Sequence, residues 1–220
     1  MSEVFLEKKF EISELLDLRV LGEVLKSLAD LSNLQIRIYD LSGAEIFNTG
    51  GEFHFCGFIH QADLDDQICQ AVKGKLLSQP LIGSNAVQIL AVCGARYTVL
   101  PVTHQFDTLG RVVLGPYQEH GVTDSRLESI AGQYRIDLAK FAVSYKKLPE
   151  ASPEQIKKIA RFISKFLDAF VFINTKRLLT SLMHLELMME AKDRIFQQVE
   201  KEIRGTPEDQ REVEKYKKMF

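Results

Sequence analysis

Three cysteines carry the most versatile chemistry in this chain. Cys56 follows the aromatic cluster Phe53-His54-Phe55, Cys69 falls in DQICQA, and Cys93 precedes Gly94. Thiolates are nucleophiles and metal ligands. The separations of thirteen and twenty-four residues, without a C-x-x-C knuckle, do not define a zinc site by spacing. Buried cysteine also serves as a small apolar filler. Two roles therefore stand side by side: packing, or a shared metal or redox site with His54 or His60 as a fourth ligand. A second group has the composition of a small-ligand pocket, largely apolar with a few orienting polar groups. It comprises Phe47, Phe53, Phe55, Tyr97 and Tyr117, with His54, His60 and Arg96 as polar members. The same aromatics at alternating strand positions would equally build a core.

These residues need elements to position them. Residues 17–31 place Val20, Leu21, Val24, Leu25 and Leu28 at three- and four-residue spacings behind Asp17, an N-cap residue, which predicts an amphipathic helix. LQIRIYD alternates apolar and polar residues, Asp40-Leu41-Ser42-Gly43 supplies turn chemistry, and AEIFN follows, giving strand, turn and strand. Residues 64–79 read as a helix with Leu64, Ile68, Ala71, Val72 and Leu76 on one side. VQILAVC, ARYTVLPV and GRVVLG read as three more strands. Short connections favour antiparallel pairing. The expected fold class is therefore α/β: a PAS-like or GAF-like, mostly antiparallel five-stranded sheet, with its helices on one face and a C-terminal helical segment after it.

Residues 123–134 predict a short helix capped by Thr123, and residues 137–141 begin another. Leu148-Pro149-Glu150-Ala151 has the look of a linker. Ser152-Pro153-Glu154-Gln155 then combines an N-cap serine, proline at the first helical position and glutamine able to close a capping box. Helical periodicity continues to Ile203 and stops at Gly205-Thr206-Pro207. Ile156, Ile159, Ile163, Phe166, Phe170 and Ile173 keep one phase. Leu182, Leu185, Met189, Phe196, Val199 and Ile203 keep another, displaced by two positions. Either a turn or a coiled-coil phase shift lies near residues 176–181. The later stripe suits a homodimer seam. The expected division is 12–148 as the α/β domain, 152–203 as a packing and dimerisation segment, and 204–220 as a charged tail.

Composition removes several function classes. With 28 basic and 30 acidic side chains the formal net charge is −2, so no overall field favours a polyanion, and the short lysine runs are flanked by glutamate. Nucleic acid is not expected as a partner. No apolar run reaches the ~20 residues that span a bilayer, and MSEVFLEKKF is too charged for a signal peptide. A cytoplasmic location without membrane contact is expected, and the odd number of cysteines fits a reducing compartment. Phosphate loop, nucleophile elbow, H-E-x-x-H and Rossmann glycine patterns are all missing. His184 sits on the long helix without a kinase domain behind it. The chain is not expected to be an enzyme.

The order ELLDLRVLGEVLKSLADLSNLQIRIYDLSGAEI, a cysteine in FHFC, a second in DQICQA, a third in AVCGARYTVLPV, and then GRVVLGPYQ resembles the PocR sensory domain. The likeness covers residues 12–144 and, more loosely, the helix over 152–172. It implies a modified PAS-like fold, a role in bacterial signalling and transcription control, and binding of small hydrocarbon derivatives such as diols. Cys56, Cys69 and Cys93 match the three cysteine positions of the family, and Gly115 matches the glycine of its GQ signature. Cys93-Gly94-Ala95-Arg96-Tyr97 stands where the family carries a C-H-A-G-L run, and Pro116-Tyr117-Gln118 replaces the glutamine after the glycine.

These readings predict a non-enzymatic bacterial sensor. A small-molecule ligand would bind at Phe47, Phe53, His54, Phe55, Arg96, Tyr97 and Tyr117, with a metal ion at Cys56, Cys69 and Cys93 as the cofactor. The signal would pass through the C-terminal helices to a partner protein or a fused output domain. A ligand-free adaptor and a cysteine-based metal or redox sensor are the alternatives.

Overall fold

A computed structural model describes residues 11–51, 53–62, 64–81, 85–105, 107–119, 124–202 and 214–215. The chain divides into two compact units, Met1–Phe172 and Ile173–Phe220.

The first unit is built on one antiparallel sheet of order β2-β1-β5-β4-β3. Its strands are β1 (Ile36–Asp40), β2 (Glu45–Asn48), β3 (Val87–Leu90), β4 (Arg96–His104) and β5 (Asp107–Tyr117). The α/β class and the five antiparallel strands are as the sequence predicts. Helices, however, cover both faces of the sheet. On one side α1 (Ile12–Leu15), α2 (Leu18–Ser32) and the first turns of α7 (Pro153–Glu202) bury Ile36, Ile38, Leu100, Val102, Val112 and Leu114. On the other, α3 (His54–Gln61), α4 (Gln70–Ser78), α5 (Asp124–Tyr134) and α6 (Leu138–Tyr145) bury Tyr39, Ile89, Tyr97, Val99 and Val113. The physical reason is visible in β4 and β5. Their near-continuous apolar runs are what a strand buried on two faces requires.

Asp17 caps α2 by accepting from the Arg19 N–H at 3.1 Å, and Leu21 and Leu25 are buried. Val20 departs from the expected stripe and is 52% exposed, its place on the buried face taken by Gly22 and Ala29. Gly22 is close enough to β2 that an added Cβ would lie 2.8 Å from the Phe47 ring.

The helix predicted over 64–79 begins with a π-helical turn, Asp65–Cys69, before α4. Ala71 faces out. Helix α3 was not legible from periodicity because it is short and begins inside an aromatic cluster. The predicted strand through Cys93 stops at Leu90, and residues 91–95 form the turn into β4. There the Gly94 N–H donates to the Ala91 carbonyl at 3.0 Å with φ +86°, a conformation that favours glycine.

Thr123, Ile203 and Gly205-Thr206-Pro207 lie outside the described residues. Asp137 caps α6 through the Lys140 N–H at 3.0 Å. Residues 148–151 are held rather than slack. The Gln118 N–H donates to the Pro149 carbonyl at 2.8 Å, the Ala151 N–H donates to the Gln118 carbonyl at 3.0 Å, and Gln118 Nε2 donates to the Leu148 carbonyl at 2.9 Å. Gln118 thus joins the end of β5 to the start of α7. Replacing it with leucine strands a buried carbonyl and is expected to cost about 1–3 kcal/mol, read by urea unfolding.

Helix α7 opens with the predicted capping box: Ser152 N–H to Gln155 Oε1 at 2.9 Å and Gln155 N–H to Ser152 Oγ at 3.2 Å. Ile156, Ala160, Ile163, Leu167 and Val171 are buried in the first unit. The helix is unbroken through residues 176–181, so no turn separates the two stripes. In the second unit it exposes Met183, Leu185, Leu187, Met188, Met189 and Ile195 together with His184.

Candidate functional site

Strand alternation decides what faces the α3–α4 side. In β1, Ile36 and Ile38 enter the α2–α7 core, which turns Arg37 and Tyr39 the other way. With Tyr97 of β4, Phe55, Cys56, Ile59 and His60 of α3, Cys69 of the π-helical turn and Cys93 of the β3–β4 turn, they line a partly open cavity of about 220 Å³. Ile68, Gln70, Val72, Lys73 and Leu76 complete its wall.

Three connections fix that wall. Arg111, on β5, donates from Nη1 to the carbonyls of Leu76 (2.9 Å) and Gln79 (3.3 Å), satisfying acceptors that the end of α4 leaves open. Lys75 Nζ donates to the Leu90 carbonyl at 2.9 Å. The Tyr145 hydroxyl of α6 donates to the Gly94 carbonyl at 3.0 Å, which braces the turn bearing Cys93. Behind α3, the rings of Phe55, Phe58, Phe141 and Tyr145 pack with centroids 5.6 to 6.3 Å apart.

The cavity gathers Phe55, Tyr97, Cys56, Cys69 and Cys93 from the residues singled out by sequence, together with His60. The others lie elsewhere. Phe47 packs on Gly22 across the sheet. Phe53 flanks the α3 core, and His54 is exposed at the start of α3. Arg96 pairs with Glu119 at 2.6 Å. Tyr117 is buried against Leu34, with its hydroxyl 2.9 Å from Thr98 Oγ1. Sequence reasoning missed Arg37 and Tyr39, although the alternation of RIYD places both on the face opposite Ile36 and Ile38.

Electrostatics separate the polar groups. Burial pushes the Cys93 thiol from 9.0 up to about 12. Burial also raises Tyr97 well above the usual phenol and raises Tyr39, which neighbouring Arg37 opposes. Burial disfavours the charge of Arg37, but its interaction with Tyr39, helped by Tyr97 and Glu45, outweighs that and raises its pKa. Arg37 therefore stays a cation. None of the three cysteines is in a disulfide. Among the described residues, no three His, Cys, Asp or Glu side chains are placed to hold a metal ion. A Cys93 thiol raised by about three pH units has about a thousandth of the ordinary thiolate. Iodoacetamide should therefore modify Cys93 at least about a hundredfold more slowly in native protein than in urea, measured by peptide mass spectrometry.

The first unit is an antiparallel α/β domain with helices on both faces of its sheet and a partly open cavity against one of them. The sequence model described as "Sensory domain found in PocR" matches residues 14–175, about three quarters of the chain, and the protein belongs to the PocR sensory domain family. No curated protein and no solved structure matches the chain. No helix among the described residues is long and apolar enough to cross a membrane.

Proposed function

We propose that this sensory domain is non-enzymatic and binds a small molecule in the cavity between α3, α4 and the sheet. The observation that carries the reading is the convergence there of Arg37, Tyr39, Tyr97 and three cysteines with the apolar Phe55, Ile59, Ile68, Val72 and Leu76, beside His60, Gln70 and Lys73. Apolar enclosure with a few directed polar groups is how proteins hold small ligands.

Strand β1 offers a route for the signal. Arg37 and Tyr39 face the cavity while Ile36 and Ile38 touch the core that holds Ala160, Ile163 and Leu167 of α7. A ligand that shifts β1 biases the packing of α7, a coupling that requires different ligand affinity in the two arrangements. Residues 12–148 then do the sensing. Residues 152–203 pack and dimerise, and residues 204–220 follow as a charged tail.

The exposed apolar stripe supports a homodimer seam that presents the signal to a partner protein or a fused output domain. A cytoplasmic setting in a bacterium suits three cysteines held as thiols. Analytical ultracentrifugation tests the seam: the full chain sediments as a dimer and L185E/M189E as a monomer, whereas a monomeric wild type contradicts it.

The test of sensing is thermal melting of the full chain against small alcohols, diols and carboxylates, beside Val72→Phe, which fills the cavity. A ligand present at a hundred times its Kd stabilises by about 2.7 kcal/mol. The reading predicts such a shift in wild type and its loss in V72F. An equal shift in both proteins contradicts it, and no shift with any class favours a ligand-free adaptor.

A further inference from the structure

We infer that the open edge of β3 and the groove between it and α7 dock an acidic segment of a partner protein, which adds to the sheet as an extended antiparallel strand. The surface lies on the face of the sheet opposite the cavity and goes beyond the ligand reading.

The backbone of β3 supplies the first observation. Sheet order leaves β3 at one end, paired with β4 alone. The Ala91 N–H donates to the Ala95 carbonyl at 2.9 Å, and two residues earlier Ile89 stands opposite Tyr97. Hydrogen-bonded pairs recur at every second residue of an antiparallel ladder, so the intervening Gln88 and Leu90 turn their backbone N–H and carbonyl groups outward. The Leu90 carbonyl accepts from Lys75 Nζ at 2.9 Å. Gln88 is exposed and, among the described residues, its outward groups have no partner. An edge of this kind is a template for another strand.

Charge identifies the strand. Between the sheet and α7 runs a groove of about 660 Å³. Gln88, Thr98 and Leu100 line it from the sheet, and Lys157, Arg161 and Lys165 line it from α7. The three cations are exposed, and among the described residues none has an ion pair or hydrogen bond. Asp168, nearly one turn past Lys165, is the one carboxylate among the described lining residues. Like charges four residues apart weaken a helix slightly, a cost that an acidic partner removes.

Spacing selects an extended partner. Four helical residues rise about 6 Å, and two strand residues advance about 6.4–6.8 Å. Acids at alternate positions of an added strand therefore keep step with Lys157, Arg161 and Lys165. Ile89 enters the α3–α4 core, so Gln88 points to the α7 side, and the residue directly opposite it in an added strand shares that face. Edge hydrogen bonds then give affinity while the alternating acids give selectivity.

Fluorescence anisotropy of the full chain with fluorescein-labelled Thr-Glu-Val-Glu-Val-Glu-Thr tests the surface. Saturable binding is expected, weakened at least about tenfold by K157E/R161E/K165E and by N-methylation of the peptide's glutamates, which keeps the charge and removes edge hydrogen bonds. Gln88→Pro, which takes away the outward donor at a position where an edge strand tolerates proline, should weaken binding similarly. No binding by wild type, or binding unchanged by the charge reversal, overturns the inference. Binding that ignores N-methylation or Q88P, or an equally charged oligothymidylate held as tightly as the peptide, leaves a cationic face without strand addition and overturns it as well. Should Q88P fail to fold by circular dichroism, the N-methylated peptide decides that arm alone.

Discussion

Replacing Phe141 with alanine should destabilise the sensory domain by about 3–5 kcal/mol, the range for removing a buried aromatic ring. The side chain is fully buried on α6 and touches three other rings, those of Phe55, Phe58 and Tyr145. Its removal opens a hole that backbone adjustment closes only in part. Because Phe55 stands between that hole and the ligand cavity, the variant should also bind any cavity ligand less tightly. Urea unfolding gives the stability change from the midpoint and slope. A loss below about 1 kcal/mol would mean that α6 does not brace α3 as the packing indicates.

The second large effect is alkaline lability. Burial raises the pKa of Cys93 to about 12 and of Tyr145 to about 12, and raises Tyr39, Tyr97 and Tyr117 as well. Each group holds its proton more tightly folded than unfolded, so the unfolded chain loses protons first as the pH rises. Their contribution is complete below the unfolded thiol value near 9 and drains away as the pH climbs toward 12. Cys93 alone, across three pH units, accounts for roughly 4 kcal/mol. The midpoint for urea unfolding should therefore be flat from pH 7 to about 8.5 and fall steeply above pH 9. Cys93→Ala should flatten the first part of that fall. A curve that declines equally in wild type and C93A would remove Cys93 as its cause.

Much of the fold is legible in the sequence. Asp17, the Asp40–Gly43 turn, Asp137 and the Ser152–Gln155 box act through contacts within a few residues, and local chemistry of that kind shows in local sequence. The helical cover on both faces depended on a global fact, that β4 and β5 lie in the interior of the sheet. Their unbroken apolar runs were the available signal, which the neighbouring alternation in LQIRIYD obscured.

The candidate site divides in the same way. Cysteines stand out by residue type, and the cavity brings all three to one place. Aromatic type alone could not separate Phe55 and Tyr97 from Phe47 and Tyr117, because the two pairs differ in the direction their strands or helices turn them. Arg37 was hidden in a strand as a polar partner to Ile36 and Ile38. Its place in the cavity wall shows only in three-dimensional packing.

The central claim is that the cavity between β1, β4, α3 and α4 is a small-molecule site. The most direct measurement is an amide NMR titration of the full chain with hexanoate and hexane-1,2-diol. The account predicts saturable shifts from at least one of them, confined to residues around 37–39, 55–60, 68–76 and 93–97. Shifts scattered over the surface, or none from either compound at saturating concentration, would contradict it.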